Sequence, residues 1–196
     1  MSSKTIKIVA INGSVRSGNY TGKALKIVLE QLRNEKNVIL EVIDPAELRL
    51  PFPGEDEGDE TAGLLKKLIK DATGVVMATP EYNGSFSSVT KAIIESLGYP
   101  SVLLGKPVVL LGVAAGQIGA IKALEHLQSV CLHIGAIVIP GPVSVSGIFE
   151  VFDKEGNCRD PKIKAQIETL ASNLLNFIRK HISPQEALEE LSRERG

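Results

Sequence analysis

The amino-acid sequence predicts one α/β domain, in which a parallel five-stranded sheet is covered on both faces by helices. Short runs rich in Val and Ile alternate with longer segments whose apolar residues recur at helical spacing. This strand–helix alternation occurs five times along the chain, which is typical of a parallel sheet with helical crossovers. Glycine-containing polar loops follow the first, third and fourth strands. The pattern therefore predicts a binding site at one edge of the sheet.

Three strands and two helices are predicted in the first half of the chain. The strands are residues 5–11, 38–43 and 74–79, and the helices are residues 21–35 and 61–71. Each strand is a short apolar run, as in buried parallel sheets, and Leu, Val and Ile recur at helical spacing in each helix. Asp44-Pro45 is expected to stop the second strand, because proline cannot donate to a sheet.

Two further strands and three helices are predicted in the second half. The strands are residues 108–113 and 135–139, and the helices are residues 89–97, a segment that ends near Leu132, and a last helix from Pro161. Asp160 is expected to cap the last helix, with proline at its first position. Residues 143–159 are predicted to be a long connection.

We expect Ser183-Pro184 to break the last helix. The main domain is therefore predicted to span residues 1–182, followed by a charged tail over residues 183–196 that is frayed or packed on a neighbouring subunit.

The totals exclude several classes of function. The chain has 196 residues, is 43% apolar, and carries a formal net charge of −1. This balance gives no reason to expect nucleic acid or an anionic membrane as a partner. No apolar run is long enough to span a bilayer, and no charged-then-apolar leader opens the chain, so a cytoplasmic location is expected.

Metal and thiol chemistry are not predicted. Cys131 lies in an apolar helical pattern and is expected in the core, whereas Cys158 lies in a polar turn. His126 and His133 share a helix face, but they lack nearby carboxylate or cysteine partners with ligand spacing. The acidic run at residues 55–60 is interpreted as a solvated loop, with a cation site as the alternative.

The five strands are expected in the order 2-1-3-4-5, the flavodoxin-like arrangement of a three-layer sandwich. In that arrangement the ligand lies beyond the carboxyl ends of the strands, where the strand order reverses between strands 1 and 3. The loops after strands 1, 3 and 4 rise at this edge. We therefore expect them to converge on one site.

The loop after the first strand is interpreted as a phosphate cradle. Loop N–H groups and the positive end of the helix dipole point at one spot when a helix follows a strand through a tight loop. Ser14, Asn19 and Thr21 add hydroxyl or amide groups, and Arg16 adds a guanidinium that matches phosphate oxygens. The alternative is a capped turn with a surface arginine. Neither the NTPase P-loop nor the dinucleotide fingerprint is present.

The other two loops are small, low in charge and suited to a flat ring system. They are residues 80–88 and 114–119. The pair Asn83-Gly84 is a hairpin signal, but the helical pattern that follows argues for a strand-to-helix loop instead.

These segments together resemble the NADPH-dependent FMN reductase family, whose flavodoxin-like members include quinone, chromate and azo-compound reductases. The resemblance rests on Gly13-Ser14-Val15-Arg16 with Asn19 to Thr21, Pro80-Glu81-Tyr82-Asn83-Gly84-Ser85, and Gly112 to Gly116. Lys106-Pro107-Val108-Val109 and Gly135-Ala136 before Pro140 also fit. The chain departs from the family pattern at Ser87-Ser88, where a proline and a glycine are usual. It also departs at Thr90-Lys91-Ala92, where Leu-Lys-Asn is usual. Both departures are expected to affect substrate shape more than flavin binding.

The resemblance implies an FMN site and names its residues. The phosphate would be held by Ser14, Arg16, Asn19, Tyr20 and Thr21. The isoalloxazine edge would be lined by Pro80, Glu81, Tyr82, Asn83 and Gly84, with Ala115, Gly116 and Gln117 on the other side of the ring. Glu81 could equally cap a helix or form an interface salt bridge, and Arg16 could serve the NADPH phosphate. A homodimer or homotetramer with the flavin near the interface is also implied.

The favoured function is hydride transfer from NADPH or NADH through bound FMN to a small-molecule acceptor such as a quinone. No catalytic side-chain acid or base is required. One alternative is a flavin-binding electron carrier or redox sensor, against which the near-neutral charge and the absence of Trp both argue. A flavin-free phosphosugar or nucleotide binder is the third interpretation.

Overall fold

The computed structural model describes residues 5–52, 54–55 and 58–184. The strands are β1 (Ile6–Asn12), β2 (Val38–Ile43), β3 (Gly74–Tyr82), β4 (Ser85–Phe86), β5 (Pro107–Val113), β6 (Ile137–Val138) and β7 (Val143–Val145). The α-helices are α1 (Tyr20–Arg33), α2 (Glu60–Asp71), α3 (Ser88–Glu95), α4 (Ile121–His133), α5 (Ile148–Val151) and α6 (Pro161–Phe177). A 3₁₀ turn spans Pro45–Glu47, and a π-helical turn, Ile178–Ile182, follows α6.

The main sheet is parallel and runs in the order β2-β1-β3-β5-β6. The short strand β7 pairs with the carboxyl half of β5, so it extends the outer strand position that β6 begins. The predicted order 2-1-3-4-5 is confirmed, since β4 is a side hairpin and does not enter the main row. The strand order reverses between β1 and β3, which places the switch point beside the loop that follows β1.

Helices cover both faces of the sheet, as predicted. Alternate residues of β1 point to opposite faces, so Ile8 and Ala10 pack with α1 and α6, whereas Val9 and Ile11 pack with α2, α3 and α4. Two apolar clusters result, one on each side. No helix in the described part of the chain combines the length and apolar character needed to cross a membrane.

The expectation that Asn83-Gly84 is not a hairpin turn is wrong. Strand β3 continues to Tyr82, turns through these two residues, and pairs antiparallel with β4. Asn83 has φ 51° and Gly84 has φ 74°, and two positive φ angles are the mark of a type I′ turn. The return strand has only two residues and α3 begins directly after Ser87, so a helical pattern from Val89 is compatible with the hairpin.

The fifth strand is also different from the prediction. It is two pieces, β6 and β7, rather than one run over residues 135–139. Pro140 and Pro142 lack N–H donors and separate the pieces. The predicted connection over residues 143–159 contains β7, α5 and an antiparallel bridge between Phe152 and Cys158.

The predicted break at Ser183-Pro184 is not observed, because both residues are helical. The Ser183 N–H donates to Ile178 O, so the π-helical turn has already changed the hydrogen-bond register ahead of the proline. Residues 185–196 of the predicted charged tail lie outside the described residues, as do Asp56 and Glu57 of the acidic run.

Candidate active site

A cavity of about 290 Å³ lies at the carboxyl ends of β1, β3 and β5. Ligand pockets span roughly 300–1,000 Å³, so the cavity suits one end of a small organic molecule. Its lining comes from the loop after β1, the start of α1, the end of β3, the loop after β5, and α5. The lining residues are Ser14, Arg16, Asn19, Tyr20, Thr21, Pro80, Glu81, Tyr82, Val113, Ala114, Ala115, Ile148 and Phe149.

The loop between β1 and α1, residues 13–19, is anchored at both ends. The Gly13 N–H donates to Ala78 O of β3 at 2.7 Å. Asn19 is the N-cap of α1, where its Oδ1 accepts from Gly22 N at 2.6 Å and its Nδ2 donates to Arg16 O at 2.8 Å. The Asn19 carboxamide therefore holds the loop on the helix. The first turn of α1, with Tyr20 and Thr21, faces the cavity.

Arg16 and Tyr82 meet at the mouth of the cavity. The guanidinium carbon lies 4.8 Å from the centroid of the Tyr82 ring. Such a cation–π contact is worth about 0.5–1 kcal/mol at an exposed site. It joins the loop after β1 to the tip of the β3–β4 hairpin, so the two predicted binding segments close over the same opening.

Glu81 caps a helix. Its Oε2 accepts from Ala123 N at 3.1 Å, in the first turn of α4. The N-cap residue of α4, Ala120, makes no side-chain capping bond, so Glu81 supplies from β3 the anion that a helix N-terminus favours. Of the roles left open for Glu81 from the sequence, the structure shows the cap.

Helix α5 forms a wall that was not predicted. Ile148 and Phe149 line the cavity, and Ile148 N donates to Ala114 O at 3.1 Å. The Phe149 ring meets Tyr20 edge-on, with centroids 5.2 Å apart. The signal in the sequence was a group of apolar residues inside the predicted connection, Ile148, Phe149, Val151 and Phe152. It has no periodicity because the helix is one turn long.

The structure gathers most of the predicted site residues but not all of them. Asn83 and Gly84 form the hairpin tip, and they do not line the cavity. Gly116 and Gln117 lie further along the loop after β5 and are likewise absent from the lining. Gly116 O accepts from Gly147 N at 3.2 Å, so this part of the loop is tied to the start of α5.

The residues present fit a phosphate-bearing flat cofactor. A Cβ at Gly13 would stand 2.3 Å from Thr90 Oγ1 and 2.6 Å from Ala78 O, so the loop is packed closely against β3 and α3. Asn12 is buried with its Nδ2 near Gly22 of α1, and its Oδ1 has no hydrogen-bond partner among the described residues. Buried polar atoms are normally satisfied, and a bound polar group or water would satisfy this one.

A larger cavity, of about 570 Å³, lies at the C-terminal ends of α3 and α4. These helices run antiparallel to the strands, so this cavity is at the opposite edge of the sheet from the switch point. No group of three His, Cys, Asp or Glu in the described part of the chain could hold a metal ion. Cys131 is buried as predicted, and burial raises the pKa of its thiol to about 12.

Comparison with known proteins identifies the same family as the motifs. The model of the NADPH-dependent FMN reductase family matches residues 6–150. An NAD(P)H-dependent FMN reductase of Pseudomonas aeruginosa is 29% identical over 187 residues, which cover 91% of this chain and 98% of the relative. An NADPH azoreductase of a Bacillus species is 32% identical over 168 residues, which cover 84% of this chain and 90% of the relative.

The fold agrees with this relationship. The structure of FerB, an NAD(P)H:(acceptor) oxidoreductase from Paracoccus denitrificans, is similar with a TM-score of 0.76 and 23% identity. The similarity covers 90% of this chain and 99% of FerB. From the matched span, the loop motifs and the parallel sheet with its switch-point cavity, we conclude that this chain belongs to the NADPH-dependent FMN reductase family.

Proposed function

We propose that this protein is an FMN-dependent oxidoreductase that transfers a hydride from NADPH or NADH to a quinone or a similar small acceptor, such as an azo compound, chromate or free flavin. One observation carries the proposal. Hydroxyl and guanidinium side chains and a group of small residues line a single cavity at the switch point of the sheet. Family membership and the azoreductase relative support the same reaction class.

The polar end of the cavity is proposed to hold the FMN phosphate. The hydroxyls of Ser14, Tyr20 and Thr21 can donate to phosphate oxygens, and the N-terminus of α1 adds its positive dipole. The guanidinium of Arg16 can leave the Tyr82 ring and pair with the phosphate at modest cost, because the contact that it gives up is weak.

The flat end is proposed to hold the ring. Pro80, Ala114 and Ala115 give a low wall on which a planar system can lie, and Phe149 and Tyr82 flank it. Bound FMN supplies the hydride chemistry itself, and the protein supplies position and electrostatic environment. Glu81 is engaged with α4 and is not proposed as an acid or base, and hydride transfer through FMN requires no side chain in that role.

We also propose that the chain forms a homodimer or homotetramer with the cavity near the interface. Ile118 and Ile121 are 79% and 47% exposed beside the start of α4, close to the loop that lines the cavity. Analytical ultracentrifugation of the wild type and of Ile118→Asp tests the assembly. A wild type that sediments as a monomer, with no change in Ile118→Asp, would contradict it. Location in the cytoplasm stays a prediction.

The visible absorption spectrum of the purified protein tests the function directly. FMN is added if needed, then NADPH under anaerobic conditions, and finally a quinone. Flavin bands that bleach with NADPH and return with quinone are expected. Bands that NADPH and NADH cannot bleach would indicate a carrier or sensor, and a protein that takes up no FMN would refute the proposal. Repeating the last step with an azo dye and chromate identifies the acceptor.

A further inference from the structure

Three buried hydroxyls lie directly behind the proposed phosphate site. Thr79 ends the apolar part of β3, Ser87 caps α3, and Thr90 lies in its first turn, and none is more than 2% exposed. We refer to them as the hydroxyl cluster. Ser87 and Thr90 occupy the positions where the family pattern has proline and leucine, neither of which carries a hydroxyl. The cluster is therefore a departure of this chain from that pattern.

The cluster contacts the loop after β1 through one strong hydrogen bond. Ser87 Oγ donates to Gly13 O at 2.6 Å. Since a hydroxyl has one proton, the 2.9 Å contact between Ser87 and Thr90 must be donated by Thr90. Thr79 in turn donates to Pro80 O at 3.0 Å and accepts from Ser87 N at 3.1 Å. Thr90 Oγ1 also donates to Thr79 Oγ1 at 3.3 Å, so the Thr90 proton is shared between Thr79 and the nearer Ser87. The chain Thr90–Ser87–Gly13 O runs in one direction.

The bond to Gly13 O determines where the next N–H points. A trans peptide is planar, so its C=O and N–H point in opposite directions. Holding Gly13 O toward Ser87 therefore directs the Ser14 N–H away from α3. Ser14 itself lines the cavity. Donor chains of this kind also polarise each other, which strengthens the grip on the carbonyl.

We propose that Ser87 and Thr90 are positioning residues for the cofactor phosphate, which they serve by orienting the Ser14 N–H. The inference rests on the proposed function, because it assumes that the loop after β1 binds the phosphate of FMN.

The test compares FMN with riboflavin, which has the same ring but no phosphate. Dissociation constants for both are measured with wild type, Ser87→Ala, Thr90→Val and Thr90→Ser. Ser87→Ala and Thr90→Val are expected to weaken FMN binding roughly tenfold, the factor that one ordinary hydrogen bond represents. Riboflavin binding is expected to stay within about twofold. Thr90→Ser keeps the hydroxyl and is expected to bind FMN like wild type.

Ser96→Ala is the matched control. Ser96 is also a buried serine of α3, at its C-cap, where its Oγ donates to Ala92 O at 2.9 Å. It has no part in the hydroxyl cluster, so its loss should change neither affinity. If Ser87→Ala and Thr90→Val leave the ratio of the FMN and riboflavin dissociation constants unchanged from wild type, the inference is overturned while the proposed function stands. A wild type that binds no FMN would refute the proposed function as well.

Discussion

Replacing Glu81 tests whether a residue of the cavity is held by a helix. Glu81→Ala removes the acceptor for Ala123 N in the first turn of α4 and leaves Ser144 Oγ, which accepts from the N-cap Ala120 N at 2.9 Å, as the remaining side-chain contact at this helix end. Loss of an N-cap bond costs about 0.5–2 kcal/mol. Loss of a negative charge at a partly buried helix N-terminus costs about 0.3–2 kcal/mol. Because the two terms overlap, we expect a total near 1–2 kcal/mol.

Glu81→Gln separates these terms. The amide keeps an oxygen that can accept from Ala123 N but removes the charge, so about half the loss is expected, roughly 0.5–1 kcal/mol. The assay is urea unfolding followed by circular dichroism, without added FMN, so that ligand binding does not contribute to the free energy of unfolding. In a domain of this size 1 kcal/mol shifts Tm by roughly 2–4 °C, which gives an independent check.

Glu125→Ala is the control for this experiment. Glu125 pairs with Lys122 in the first turns of the same helix, at 2.9 Å, but the pair is solvent-exposed. Exposed pairs contribute little, so stability should not change measurably. If Glu81→Ala unfolds at the same urea concentration as wild type, the capping role is refuted. If Glu81→Gln loses as much stability as Glu81→Ala, the charge accounts for the whole effect, and a stabilising contribution from the hydrogen bond is refuted.

Three further outcomes are expected. Gly13→Ala should abolish FMN binding, because its Cβ would stand 2.3 Å from Thr90 Oγ1, and an FMN titration that matches wild type would contradict this. Arg16→Lys keeps the charge but loses the planar guanidinium, so the FMN dissociation constant should rise roughly tenfold by fluorescence titration, while equal affinity would show that charge alone suffices. Burial raises the pKa of the Cys131 thiol to about 12, above its ordinary value of 9.0. Between pH 9 and about pH 12 the folded protein therefore keeps a proton that the unfolded chain loses, and stability falls by up to about 1.4 kcal/mol per pH unit, a slope that Cys131→Ala should reduce.

Local pattern was enough to predict most of the fold. Val-rich and Ile-rich runs bounded by Gly and Pro gave the main strands, and their alternation with amphipathic helices gave the strand order, which the sheet confirms. Asp160 and Pro161 marked the start of α6 correctly, because a cap and a first-turn proline act within a few residues. The elements that were missed are short. The hairpin return β4 and helix α5 hold too few residues to show a period.

The candidate site was likewise predicted in part from local sequence and in part shown only by the structure. The sequence alone predicted which loops converge on the site, because all three follow parallel strands and must rise at one edge of the sheet. Only the tertiary structure decided what each side chain does there. Glu81 caps α4 across a gap of 42 positions in sequence, and Ser87 reaches Gly13 O across 74. Hydrogen bonds between residues so distant in sequence depend on how strands and helices pack, and no local pattern encodes them.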